Sequence, residues 1–61
     1  MTAIDALYEI LEAADNGERS VRVELSSRRT RRTFYRMLNN NDKVSSYTYS
    51  NGVVKVYLKS T

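Results

Sequence analysis

Asn51-Gly52, set between two runs that alternate apolar and polar residues, constrains this 61-residue chain more than any other feature. Both central residues of a type I′ turn need positive φ, and Asn-Gly meets that need at the least steric cost. With those two residues as the loop, Ser50 faces Val53, Tyr49 faces Val54, Tyr47 faces Val56 and Ser45 faces Leu58. One face of the hairpin then carries Tyr47, Tyr49, Val54, Val56 and Leu58 and is the expected core face. The other carries Val44, Ser46, Thr48, Lys55, Tyr57 and Lys59. A slip of one residue would exchange the two faces, so turn and alternation must agree, and here they do.

The hairpin needs more apolar surface to pack against, and the chain upstream supplies it. Ser20-Val21-Arg22-Val23-Glu24-Leu25 alternates with period two, predicting a strand with Val21, Val23 and Leu25 inward. Before it, Ile4, Leu7, Tyr8, Leu11 and Ala14 recur at helical spacing and form the expected buried stripe, with Asp5, Glu9 and Glu12 opposite. Thr2 is placed to cap that helix, Asp5 completes a weak capping box, and Asp15-Asn16-Gly17 ends it through a left-handed glycine. Between the strand and the hairpin lies a second helix. Ser26 or Ser27 caps it and the run Asn39-Asn40-Asn41 stops it, asparagine tolerating left-handed dihedrals.

The order helix, strand, helix, strand, strand makes the first two strands parallel in direction. The third, Val53–Leu58, is the most apolar and fits antiparallel between them. The expected fold is therefore a two-layer α+β domain spanning residues 1–61. Its three-stranded antiparallel sheet is ordered first–third–second, and a right-handed crossover places both helices on one face. A winged helix-turn-helix shares some of these elements. It needs two helices between the first strand and the hairpin, whereas only one fits between Leu25 and Lys43. A chain of this length carries one modest core.

The second helix is the functional candidate. Wound at 100° per residue, it gathers Thr30, Phe34, Met37 and Leu38 on one side and Arg28, Arg29, Arg32 and Arg36 on the other. Tyr35 lies at the edge of the arginine face, and Arg31 at the opposite boundary. The apolar stripe alone is enough to dock the helix, so folding does not require five arginines in nine residues. Arg28, Arg29 and Arg31 also crowd the first turns, where the helix dipole favours acids and each misplaced charge costs ~0.3–1 kcal/mol at low salt. A local rule broken without structural gain points to function. Guanidinium forks match phosphate oxygens, and Tyr35 is placed to stack on an unpaired base. The plainer reading is a solvated face with arginine stems covering the core edge, or cross-links to Glu24 and the first helix. On the outer sheet face, Tyr57 between Lys55 and Lys59 resembles a stacking platform in outline, though one tyrosine is not a platform and a polar outer face is the simpler reading.

Charge is polarised along the chain. Residues 1–27 carry six acids against Arg19 and Arg22, a net of −4, and residues 28–61 carry eight bases against Asp42, a net of +7. Such asymmetry calls for an anionic partner or a second copy of the chain. With no histidine and no cysteine, the usual general base and thiolate are absent, and no catalysis is expected. Asp5, Glu9 and Glu12 share a helical face but offer too few ligands for a hard cation, and no glycine-rich phosphate loop occurs. Neither cofactor nor metal is expected. Absence of cysteine, of a basic leader and of a ~20-residue apolar span suits a soluble cytoplasmic protein without membrane contact.

Two functions are compatible with these features. One is a small basic nucleic-acid-binding module that holds DNA or RNA by its phosphate backbone with little sequence preference. The alternative is a protein-interaction or inhibitor protein docking its arginine face on an acidic partner surface, such as a nuclease, polymerase or defence complex of the kind targeted by small virus-encoded inhibitors. The expected contact residues are Arg28, Arg29, Arg31, Arg32, Tyr35, Arg36, Lys55, Tyr57 and Lys59. A homodimer formed by exposed sheet edges, or by acidic helix against basic helix, fits either function.

Overall fold

Both turn residues of the hairpin have positive φ, 49° at Asn51 and 80° at Gly52, as the Asn-Gly signal demands. The structure, a computed structural model, describes residues 2–59. Its elements are α1 (Ala3–Asp15), β1 (Ser20–Glu24), α2 (Arg28–Asn39), β2 (Val44–Ser50) and β3 (Val53–Leu58). β3 lies between the other two strands and pairs antiparallel with each, giving the order β1-β3-β2. The fold is the two-layer α+β arrangement expected, with the helices on one face of the sheet.

Register follows the turn over most of the hairpin, with Ser50 opposite Val53, Tyr49 opposite Val54 and Tyr47 opposite Val56. It departs at the far end. A bulge between Val44 and Ser46 sets Ser46 opposite Tyr57 and Val44 opposite Leu58, displacing the expected Ser45–Leu58 pair. The extra residue shifts the alternation by one. Val44, expected outward, is thereby turned into the core at 8% exposure. The small Ser45 and Ser46 carry no apolar signal that would have marked the shift.

α1 is rotated from its expected face. Ala3, Ala6, Ile10 and Ala13 are buried, whereas Ile4 and Tyr8 are exposed and Leu7, Leu11 and Ala14 are only partly covered. The helix is apolar around more than half its circumference, so the row with the largest side chains need not face inward. Alanines at the contact let the helix approach closely, since interaxial distance follows the side chains between the elements. Its ends are as expected. Thr2 Oγ1 accepts from Asp5 N at 3.2 Å. At the other end Glu18 N donates to Ala13 O and Gly17 N to Ala14 O, a Schellman pair that uses the φ of 77° at Gly17.

α2 begins with Ser27, whose Oγ accepts from Thr30 N at 3.4 Å. Its end differs from expectation, because none of Asn39, Asn40 and Asn41 adopts positive φ. Instead the last turn tightens, with Asn40 N donating to Met37 O (3.2 Å) and Asn41 N to Leu38 O (3.1 Å). Asn41 Oδ1 then accepts from Lys43 N at 2.9 Å and starts the turn into β2.

The core joins Ile10 of α1, Phe34 and Leu38 of α2, Leu25, and Val23, Val54 and Val56 of the sheet. Fully burying a side chain such as Phe34 contributes about 1.5–3 kcal/mol. Tyr47 and Tyr49 do point to this face, but at its edge. Tyr47 is half-buried and Tyr49 keeps 47% exposure, so they flank the core rather than fill it.

Candidate nucleic-acid interface

Phe34 and Leu38 anchor one face of α2 on the sheet, which leaves two flanks and an outer surface to the remaining residues. One flank is fastened to β2. The Tyr35 ring stacks on Tyr47 with centroids 4.9 Å apart and planes 11° apart. The Arg31 guanidinium lies over the Tyr49 ring at 4.2 Å, and the Tyr47 hydroxyl donates to Asn39 Oδ1 at 3.1 Å. The match is geometric. Residues four apart on a helix rise ~6.0 Å, and residues two apart on a strand rise ~6.8 Å. Arg31 and Tyr35 therefore meet Tyr49 and Tyr47 in step. Arg31 also donates through Nη1 to the carbonyl oxygens of Leu25 (2.7 Å) and Ser26 (2.9 Å), holding down the loop that enters the helix.

Two expected contact residues are thus engaged within the fold. Tyr35 is not free to stack on a base, and burial pushes its hydroxyl pKa up, with the nearby Arg31 charge partly opposing that shift. Arg31 is half-buried and committed to two carbonyls and a ring.

The outer surface is different. Arg28, Arg29, Arg32 and Arg36 are exposed and, with Thr33, line one open concavity of about 610 Å³. Arg28, Arg32 and Arg36 recur every four residues and form a single row along the helix. The expected alternative partners do not engage them. Among the described residues the only ion pair joins Lys43 to Asp15 at 3.6 Å, between exposed side chains where such contacts contribute little. The first turn of α2 holds no acid, so the positive end of the helix dipole adds to the charge of Arg28 and Arg29.

Lys55 and Tyr57 lie on the opposite side of the molecule, on the sheet face that no helix covers. Lys55 Nζ sits 5.1 Å from the Tyr57 ring centroid, and Tyr57 is 38% exposed. Lys59 follows the end of β3, where its N–H donates to Lys43 O at 2.9 Å. The nine expected residues therefore form no single surface. Four line the concavity on α2, two brace the fold, and three lie on or beside β3. The structure adds Arg22, directly opposite Lys55 across the β1–β3 ladder, where like charges repel. The alternation of β1 with the first–third–second strand order was the signal that placed it there.

Among the described residues no cluster of three or more acidic, histidine or cysteine side chains is disposed to hold a metal ion. No helix among the described residues is long and apolar enough to cross a membrane. Comparisons with protein-family models, with curated proteins and with solved structures found no match to this chain.

Proposed function

We propose that this chain is a small nucleic-acid-binding module that grips DNA or RNA through backbone phosphates laid along α2. The observation that supports it is the open concavity lined by Arg28, Arg29, Arg32 and Arg36, four exposed arginines with no acidic partner among the described residues. Arginine forks bind phosphate oxygens bidentately, and a row of them follows a charged backbone. With Tyr35 stacked on Tyr47, the one aromatic of α2 that borders the row is engaged, so neither base stacking by Tyr35 nor sequence reading is expected at this site. The dipole at the start of α2 strengthens the attraction for an anion.

That same withdrawal of Tyr35 supports a second reading. A carboxylate suits the guanidinium fork as well as a phosphate does, so an acidic protein surface is the competing partner and the chain would then be an interaction or inhibitor protein. Gel shifts with single- and double-stranded DNA and RNA separate the two. For about four phosphates contacted on duplex DNA, raising salt from 50 to 200 mM weakens binding on the order of 100-fold, through counterion release. Failure of all four nucleic acids to shift at about 50 mM salt rejects the nucleic-acid reading and leaves the protein partner.

A further inference from the structure

Ile4 and Tyr8 stand one turn apart on α1, 57% and 64% exposed, with Leu7 and Leu11 only half-covered beside them. Positions i, i+3, i+4 and i+7 form a continuous row, and such a row outside the core marks a contact surface. α1 also carries Asp5, Glu9, Glu12 and Asp15 and no base, whereas α2 carries five arginines and no acid. The two helices are neighbours in one layer, yet among the described residues no ion pair joins them.

We infer that the helical layer pairs with that of a second copy of this chain, α1 of each copy lying across α2 of the other. The direction of the helices and their charges together select this arrangement. β1 and β2 are both antiparallel to β3 and so share a direction. The short connections 16–19 and 40–43 turn each helix back against the strand that follows it, as the contacts of Arg31 with Tyr49 and Tyr35 with Tyr47 require for α2. The helices therefore lie side by side in the same sense. A two-fold axis perpendicular to them sets α1 on α1 and α2 on α2, acids against acids and arginines against arginines. An axis parallel to them sets the acids of α1 against the arginines of the other copy's α2 and encloses the Ile4–Leu11 rows between the layers. A standard interface of ~800 Å² per partner would take less than a fifth of the 4518 Å² surface. The pairing stands on α1 and does not depend on the nucleic-acid reading. It covers the same arginines, so the dimer and a nucleic acid compete for them.

The test is sedimentation equilibrium of the full chain from about 1 to 500 µM at low salt, with far-UV circular dichroism to verify folding. The wild type is expected to dimerise, and Ile4→Ser/Tyr8→Ser, which alters only exposed side chains, to remain monomeric. Glu9→Lys/Glu12→Lys and Arg29→Glu/Arg32→Glu are each expected to lose self-association on the order of tenfold or more, and to recover it when mixed, because both contacts are then attractive again. A wild type monomeric throughout overturns the inference. So does a dimer indifferent to Ile4→Ser/Tyr8→Ser, which would place the contact at a sheet edge, or a mixture that fails to recover. Gel shifts are read separately, so loss of nucleic-acid binding leaves this result standing.

Discussion

Arginine occurs on both sides of α2, with opposite fates. Toward β2, Arg31 caps two carbonyls and covers Tyr49, and Tyr35 stacks on Tyr47. On the outer surface Arg28, Arg29, Arg32 and Arg36 pair with no acid among the described residues and line an open concavity. The residue type is the same, so the difference lies in what the fold places within reach. An arginine given fixed carbonyls and a ring becomes a fastening, and one given only water keeps its fork available for an external anion. Residue identity alone does not mark a binding arginine.

The fastened flank is where a substitution should cost most. Tyr35→Ala removes the stacked pair and part of the cover over the core. It is expected to lower stability by about 2 kcal/mol, seen as a lower urea midpoint at unchanged slope. A midpoint equal to that of the wild type would mean that this flank is no more structural than the outer one. Tyr47→Phe keeps the ring stack and removes only the exposed hydroxyl bond to Asn39, so a loss of about 0.5 kcal/mol is expected. A larger loss would shift the fastening from the rings to the hydrogen bond.

Titration gives the finest discrimination. The Tyr35 pKa is raised in the folded chain, so its hydroxyl ionises first in the unfolded state, near the ordinary value of about 10. Its contribution to stability is complete below that value and is lost as pH rises through the folded pKa. Tyr35→Phe should therefore flatten part of the stability decline on the alkaline side. Identical alkaline profiles for the two proteins would show that Tyr35 is as hydrated in the fold as outside it.

Elements supported by agreeing local signals were legible in the sequence. The Asn51-Gly52 turn, the alternation of Val53–Leu58 and the capping serine before α2 each point to one structure, and the strand order followed from them. The inward face of α1 was not legible. Large apolar residues outnumber the alanines there, and the close approach that favours alanine is a tertiary property. Nor was the inward turn of Val44, because Ser45 and Ser46 leave the bulge unmarked. For the candidate site, helical periodicity separated the apolar from the basic residues but not the engaged arginine from the free ones. Arg31 and Tyr35 are engaged by Tyr49 and Tyr47, whose alternation assigned them a face of the sheet but not the helix edge that face would meet.

The most direct test pairs the two surfaces of α2 in one experiment, measuring oligonucleotide affinity at about 50 mM salt and urea stability for Arg28→Gln/Arg32→Gln/Arg36→Gln beside Arg31→Gln. The triple variant should lose affinity on the order of 100-fold or more. Its stability should be unchanged or higher, because a misplaced first-turn charge worth ~0.3–1 kcal/mol is removed. Arg31→Gln should keep affinity within a few-fold and lose about 1.5 kcal/mol of stability, as its carbonyl bonds and ring contact disappear. A triple variant that still binds like the wild type, or an Arg31→Gln variant that loses binding while remaining as stable, would contradict the division of α2 into a fastened flank and a free binding surface.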